Sequence, residues 1–223
     1  MIDIASNLSR VLRDIPQGTK LVAVSKFHPT AYIQAAYEVG QRVFGESREQ
    51  ELRQKVEALP KDIEWHFIGH LQTNKVKYIV PYISMIESVD SLKLLQEIDR
   101  QAAKCDKIIK VLLEVKVARE ETKSGLTMEA CRELLKEGSW RSLEHVSICG
   151  LMTIASYVDD DEQVGAEFAA ADSFFEEVKQ QYFADADFFC ERSWGMSHDY
   201  KVALAHGSTI VRVGTSIFGE RVY

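Results

Sequence analysis

A lysine stands at the end of a predicted strand, where its amine could act as a nucleophile. In the stretch LVAVSKFHP (residues 21–29), Val22, Val24 and Lys26 fall on every second position, which is the period of a β-strand. Lys26 therefore shares a face with two valines. Two interpretations are open. The side chain either leaves the sheet for water, or it stays desolvated and forms a Schiff base with a carbonyl compound.

Two later stretches are rich in small residues and could bind a phosphate group. RSWGMSHD precedes a predicted helix, and RVGTS lies near the end of the chain. Their small residues are Ser193, Gly195 and Ser197 in the first stretch, and Gly214, Thr215 and Ser216 in the second. Free N–H groups at helix starts attract anions, although glycine and serine also simply turn the chain. Their joint placement opposite Lys26 favours an anion site.

Arg212 is a charged residue inside an apolar strand. It shares a face with Ile210 and Gly214 in the stretch STIVRVGT. A buried charge needs a partner. That partner is either a carboxylate of a neighbouring strand, for which Glu46 and Glu114 are candidates, or a bound ligand.

Other chemical motifs are weaker. His66 and His70 are four residues apart but straddle a predicted strand end, so polar packing is favoured over a metal pair. The stretch ETKSG (residues 121–125) lacks the first glycine of a phosphate loop, which favours a surface turn, although Lys123 would lie near the top of a barrel. No CxxC pair is present, which argues against a zinc site.

The composition excludes several classes of protein. Of 223 residues, 46% are hydrophobic and 27% charged, and the net charge is −7; this acidic balance argues against nucleic acid as a partner. No apolar run approaches the ~20 residues that span a membrane, and the first residues do not resemble a secretory signal. The four cysteines lie far apart, which predicts free thiols in a reducing compartment, the cytoplasm.

Alternating strands and helices position these residues. A helix is predicted over residues 3–14, followed by eight strands separated by helices. The predicted strands are LVAVSK, RVFG, IEWHFIG, ISMIESV, KIIKVLLEVKV, HVSICGLMTI, ADFFCER and STIVRVGTSIFG. This alternation predicts an α/β fold, a single (β/α)8 TIM-type barrel with an extra N-terminal helix, over residues 1–223. The alternative is an open doubly wound sheet, but its G-x-G-x-x-G fingerprint is absent.

An ordered set of segments resembles a known family. These segments are AVSKFHP, FGESREQEL, WHFIGHLQTNK, ESVDS, TKSG, GLMTI, SWGMS and VRVGTSIFGER. Together they resemble the pyridoxal-phosphate homeostasis proteins (the YggS-like family), which share their barrel with the alanine racemase group. The resemblance covers nearly the whole chain.

The resemblance implies pyridoxal 5′-phosphate (PLP) as the cofactor. Lys26 would form an internal aldimine with PLP, and Arg212 would face the pyridine nitrogen. The phosphate would be held by Ser193, Ser197, Gly214 and Thr215, with Met196 in the same binding loop. Two positions depart from the family pattern. Ser47 stands where an asparagine often reaches the cofactor, and His28 stands where a second lysine often follows.

Three functional classes remain open after the resemblance. The first is a monomeric protein that binds PLP and buffers it or delivers it to PLP-requiring apoenzymes. The second is an amino-acid racemase, which needs acid/base groups on both faces of the substrate carbon. In the racemase relatives one such group comes from an extra β-domain and a partner subunit, and we expect this domain to be absent because eight barrel units use all 223 residues. A class I aldolase, needing no cofactor, is the third. The PLP-binding protein is favoured.

Overall fold

Eight strands form a closed barrel in the computed structural model, which describes residues 2–117 and 124–220. The strands are β1 (Lys20–Val24), β2 (Val43–Glu46), β3 (Glu64–Phe67), β4 (Ile83–Val89), β5 (Ile109–Glu114), β6 (Val146–Met152), β7 (Glu191–Met196) and β8 (Ile210–Val213). They pair in parallel in sequence order, and β8 closes the barrel on β1 with Arg212 beside Val22. The predicted (β/α)8 barrel is confirmed, and the open doubly wound sheet is excluded.

Helices follow the strands, and one helix precedes them as predicted. The helices are α1 (Ile4–Asp14), α2 (Thr30–Glu38), α3 (Glu49–Ala58), α4 (Val76–Ile79), α5 (Leu92–Ala103), α6 (Met128–Glu137), α7 (Asp161–Tyr182), α8 (Tyr200–Ala205) and α9 (Thr215–Phe218). The start of α1 is capped by the Asp3 carboxylate, which accepts a hydrogen bond from the Ser6 amide at 3.0 Å. Its buried side chains Ile4, Leu8 and Val11 recur at helical spacing.

Side chains alternate between the two faces of the barrel wall. The outward face packs beneath the helices in one large core. The inward face forms a second, smaller apolar cluster of Val22, Met85, Leu112, Cys149, Met152 and Ile210. The two-residue period of a strand then directs Val24 and Arg212, each two residues after a member of that cluster, to the barrel interior.

Strand β7 differs from its prediction. Residues 186–192 were expected to form it, but the strand begins at Glu191 and ends at Met196. The Phe189 ring that suggested an earlier strand instead stacks on Phe183 at 4.2 Å between ring centroids. Gly195 has φ +95°, and a Cβ there would lie 2.6 Å from the Ala203 Cβ. Position 195 therefore requires a glycine, because α8 packs directly against the strand there.

The last predicted strand is also too long. It was expected over residues 208–219, but β8 ends at Val213 and residues Thr215–Phe218 form the helical turn α9. The Asn7 side chain donates a hydrogen bond to the Ile217 carbonyl at 3.1 Å and so ties this turn to α1. The apolar residues Ile217 and Phe218 are buried in helical form, where a strand was predicted.

Two predictions from the sequence, on Lys123 and on membrane-spanning segments, have these outcomes. Lys123 and Thr122, the first half of the TKSG segment, lie outside the described residues. Within the parts of the chain that the structure covers, no helix combines the length and the apolar character needed to cross a membrane.

Candidate functional site

A cavity of about 380 Å³ opens at the end of the barrel where the strands terminate. Its walls come from the ends of β1, β7 and β8 and from the loops after β3 and β6. Cavities of at least ~300 Å³ at this face of a barrel are typical small-molecule sites. Six of the eight predicted site residues line it: Lys26, Met196, Ser197, Arg212, Gly214 and Thr215.

Lys26 lies in the turn that follows β1, two residues beyond Val24. Its side chain is half-buried and lines the cavity beside Val24. The strand parity predicted this direction, since Val24 lines the cavity one step below and Val22 fills the barrel interior two steps below. The amine is therefore carried to the mouth of the barrel by a turn and not by the strand itself.

Ser197 connects the loops that follow β7 and β8. Its hydroxyl oxygen accepts a hydrogen bond from the Gly214 amide at 3.0 Å, and its carbonyl accepts one from the Ser216 hydroxyl at 3.4 Å. Ser197 was expected at the start of a helix, but α8 begins three residues later at Tyr200. Its half-exposed hydroxyl belongs to a turn, and it lines the cavity together with Gly214 and Thr215.

Arg212 is buried at the floor of the cavity, with 4% of its surface exposed. Its guanidinium donates hydrogen bonds to the Ser193 carbonyl at 2.7 Å, to the Ser193 hydroxyl at 2.5 Å and to the Thr153 carbonyl at 2.8 Å. The Glu87 carboxylate lies 3.8 Å from the guanidinium. These four contacts hold the plane of the guanidinium beneath the cavity.

The two carboxylates that were considered as partners of Arg212 are engaged elsewhere. Glu46 pairs with Lys55 at 2.7 Å, and Glu114 accepts a hydrogen bond from the Ser124 hydroxyl at 2.7 Å. Burial raises the pKa of Glu114, and the Ser124 hydrogen bond only partly opposes this shift. The prediction that either residue pairs with Arg212 is therefore wrong, and Glu87 takes that place.

Ser193 does not line the cavity. Because β7 extends to Met196, Ser193 lies within the barrel wall and is fully buried. Its hydroxyl donates to Glu87 at 2.6 Å and accepts from Arg212. The structure thus shows Ser193 as a partner of Arg212 and Glu87, and the expected phosphate contact of Ser193 stays a prediction.

Ser47 is the other expected site residue that the structure keeps out of the cavity lining. It packs against the backbone of Gly69, where a Cβ would come within 2.6 Å of the Ser47 Cβ. The expected contact between Ser47 and a cofactor stays a prediction.

A buried acid that the sequence did not single out supports the floor of the site. Glu87 accepts hydrogen bonds from Ser193 and contacts His66 Nδ1 at 2.6 Å. Burial raises the pKa of Glu87, but the His66 hydrogen bond and the charges of His66 and Arg212 outweigh it and lower the pKa below its ordinary value. Glu87 therefore stays ionised and balances the Arg212 charge.

The two histidines of the sequence motif play separate roles. His66 is buried against Glu87, whereas His70 is exposed and lies 3.3 Å from Asp90. Within residues 2–117 and 124–220, no group of three or more histidines, cysteines or acids could hold a metal ion. The preference for polar packing over a metal pair agrees with this geometry.

Two aromatic rings at the rim of the cavity were not predicted. Tyr157 and His198 lie edge to face with 4.7 Å between their centroids, and Tyr157 is 78% exposed. Both line the cavity from the loops after β6 and β7. Both residues follow the carboxyl ends of strands, and this position is the sequence feature from which a place at the site could have been predicted.

Comparisons with known proteins agree with this geometry. Residues 2–222 match the family model described as the alanine racemase N-terminal domain. The chain is 41% identical to the pyridoxal phosphate homeostasis protein of Aquifex aeolicus (strain VF5), over 97% of each chain. It is 37% identical to PipY of Synechococcus elongatus PCC7942 solved with PLP bound, with a TM-score of 0.88 over 97% of this chain and all of that one.

More distant structures share only the fold. An alanine racemase of Clostridium difficile 630 superposes on 98% of this chain with a TM-score of 0.76 but is 16% identical, and the match covers 59% of the racemase. By full-length similarity at 41% identity and by its family model, the chain belongs to the pyridoxal phosphate homeostasis proteins, within the alanine racemase N-terminal domain family.

Proposed function

We propose that this protein binds PLP in the cavity at the carboxyl end of the barrel and buffers or delivers it. The convergence of Lys26, Arg212 and the Ser197–Gly214–Thr215 group on one cavity carries the proposal. Two comparisons support it: the similar PipY structure has PLP bound, and the curated relatives are named for PLP homeostasis. Adding PLP to the purified protein and recording its visible absorbance spectrum tests it.

The residues of the cavity suit each part of PLP. The hydroxyls of Ser197 and Thr215 can donate to a phosphate at the loops after β7 and β8, with Met196 packing beside them. When bound, PLP would supply an electrophilic aldehyde that an amine in the cavity could attack. Lys26 enters the cavity from the β1 side and provides that amine.

Arg212 is proposed to face the pyridine nitrogen of PLP. A guanidinium donates hydrogen bonds and cannot accept them. Burial lowers the pKa of Arg212, while the Glu87 carboxylate opposes that shift and favours the charged form. A charged donor at this position keeps the pyridine nitrogen unprotonated, which weakens the ring as an electron sink. The site is thereby suited to holding PLP and poorly suited to carbanion chemistry.

The phosphate role of Ser197 gives a first prediction. Ser197→Ala should weaken PLP binding by about tenfold or more, because a hydrogen bond to a charged group contributes about 1.5–3 kcal/mol. Affinity for unphosphorylated pyridoxal should change far less. Titrations of both ligands by absorbance measure the difference, and an equal loss for both would show that Ser197 does not contact the phosphate.

Absence of racemase turnover is a second prediction. The loaded protein should exchange the α-proton of added alanine no faster than free PLP does, since Arg212 opposes charge build-up on the ring. Mass spectrometry of alanine incubated with the protein and PLP in deuterated water measures this exchange. Stereospecific exchange at an ordinary enzyme rate, about 10 per second, would favour the racemase alternative.

We also infer a monomer that acts in the cytoplasm, with PLP-requiring apoenzymes as recipients. All four cysteines are free, and burial raises the pKa of Cys131 to about 12, which makes that thiol unreactive. Free thiols support a reducing compartment. Sedimentation of the protein with and without PLP tests the monomer.

A further inference from the structure

The turn that carries Lys26 has an unusual backbone. Phe27, the next residue, has φ +67° although it is not a glycine. A bulky residue in this region is strained and persists only where its surroundings hold it. The turn is closed by a hydrogen bond from the His28 amide to the Ser25 carbonyl at 3.0 Å. The geometry around Lys26 therefore depends on contacts from outside the turn.

Helix α3 provides two of these contacts. The Glu51 carboxylate accepts a hydrogen bond from the Phe27 amide at 2.8 Å. One helical turn later, the Lys55 amine donates to the Ser25 carbonyl at 2.9 Å. Glu51 and Lys55 are themselves 3.1 Å apart. The backbone is thus held immediately before Lys26 and immediately after it.

Strand β2 provides a third contact. Glu46, which is fully buried, accepts hydrogen bonds from the Ser25 hydroxyl at 2.6 Å and from the Lys55 amine at 2.7 Å. Lys55 is 5% exposed. A buried ion pair adds little net stability because both charges lose their hydration. Its geometric effect is larger, since it fixes Ser25 and α3 in one arrangement.

The cavity lining does not include these three residues. Glu46, Glu51 and Lys55 contact one another and the two residues that flank Lys26, Ser25 and Phe27, so they act on the turn that carries Lys26. Two of them, Glu46 and Glu51, belong to the FGESREQEL segment, and Ser47 of the same segment does not line the cavity. The Arg48 guanidinium of the same segment lies 4.5 Å over the Phe27 ring. The segment therefore faces the turn and not the cavity.

We propose that Glu46, Glu51 and Lys55 form a clamp that positions the Lys26 amine for bond formation with a carbonyl ligand. This inference rests on the proposed function, because it assumes that Lys26 reacts with PLP. The three are positioning residues: they hold Ser25 and Phe27, and Lys26 is carried between them.

Glu51 is the residue with which to test the clamp, because it is half-buried and its loss leaves the Glu46–Lys55 pair intact. On mixing with PLP, Glu51→Ala should slow the growth of the visible band about tenfold. Its affinity for pyridoxine 5′-phosphate, which lacks the aldehyde, should stay within twofold. In the absence of any ligand, hydrogen exchange in a peptide covering residues 25–28 should rise about tenfold, because the Phe27 amide loses its acceptor.

Two matched variants serve as controls. Glu51→Gln keeps an acceptor for the Phe27 amide and should retain band growth within about threefold of the parent. Glu57→Ala removes the same chemical group from an exposed position of α3 and should change nothing.

The outcomes separate the clamp from the proposed function. Unchanged band growth in Glu51→Ala, or a loss of pyridoxine 5′-phosphate affinity as large as the loss in band growth, would overturn the clamp. In the first case the turn does not need Glu51, and in the second Glu51 supports the whole cavity. A band that survives Lys26→Ala would overturn the assignment of Lys26 and the clamp with it, whereas failure of the parent protein to bind PLP at all would overturn the proposed function.

Discussion

Lys26→Ala should abolish the visible absorbance band of the PLP-loaded protein while leaving its unfolding temperature almost unchanged. Lys26 is half-buried in a turn and lines the cavity, so its removal leaves the apolar core intact. Loss of the amine removes the only group that we place within reach of the aldehyde. Absorbance after gel filtration, together with thermal unfolding, measures both effects.

A surface lysine provides the control for this variant. Lys93→Ala removes an exposed amine from α5, away from the cavity, and should keep the full band. A Lys26→Ala protein that retains the band would contradict the assignment of Lys26. Loss of the band together with a collapse of the fold would make Lys26 a structural residue and contradict the expected stability.

Arg212→Glu should have the largest effect on stability. The substitution removes the donor to Ser193 and Thr153 and places a second buried carboxylate near Glu87. Breaking a buried charge pair costs about 3–5 kcal/mol. Adding Glu87→Gln in the same chain removes the opposing carboxylate and should recover part of that loss. Thermal unfolding of the parent, single and double variants measures both changes.

The double variant also tests why the site is proposed to be a poor catalyst. A carboxylate facing the pyridine nitrogen favours its protonated form and strengthens the ring as an electron sink. PLP occupancy should fall, because a carboxylate then lies near the phosphate, but α-proton exchange per bound PLP should rise. Unchanged exchange per bound PLP would mean that Arg212 is a structural residue, and its proposed effect on the chemistry would be wrong.

Short-range patterns were sufficient to predict part of the site. The two-residue period of β8 directs Arg212 inward, because a strand points alternate side chains to one face. The same period, counted from Val22 and Val24, predicted the direction of Lys26 although that residue lies in the turn after β1. The eight alternating units placed both at the same end of the barrel. The small residues Ser197, Gly214 and Thr215 then followed from their loops, and all five line the cavity.

Long-range contacts explain what could not be predicted. Ser193 binds Glu87 across 106 residues of sequence, and Phe27 binds Glu51 across 24. No local sequence pattern predicts hydrogen bonds between residues so far apart in the chain. Strand β7 was misplaced for a different reason: it contains serine and glycine, which have low strand propensity, and the neighbouring aromatic pair gave a stronger but misleading signal.

Reductive trapping tests the central claim most directly. The PLP-loaded protein is treated with borohydride, which makes a bond between PLP and a lysine permanent, and is then digested and mapped by mass spectrometry. We expect the main adduct on the peptide that contains Lys26, in about one copy per chain. A main adduct on Lys75 or Lys123, or no adduct at all, would contradict the account.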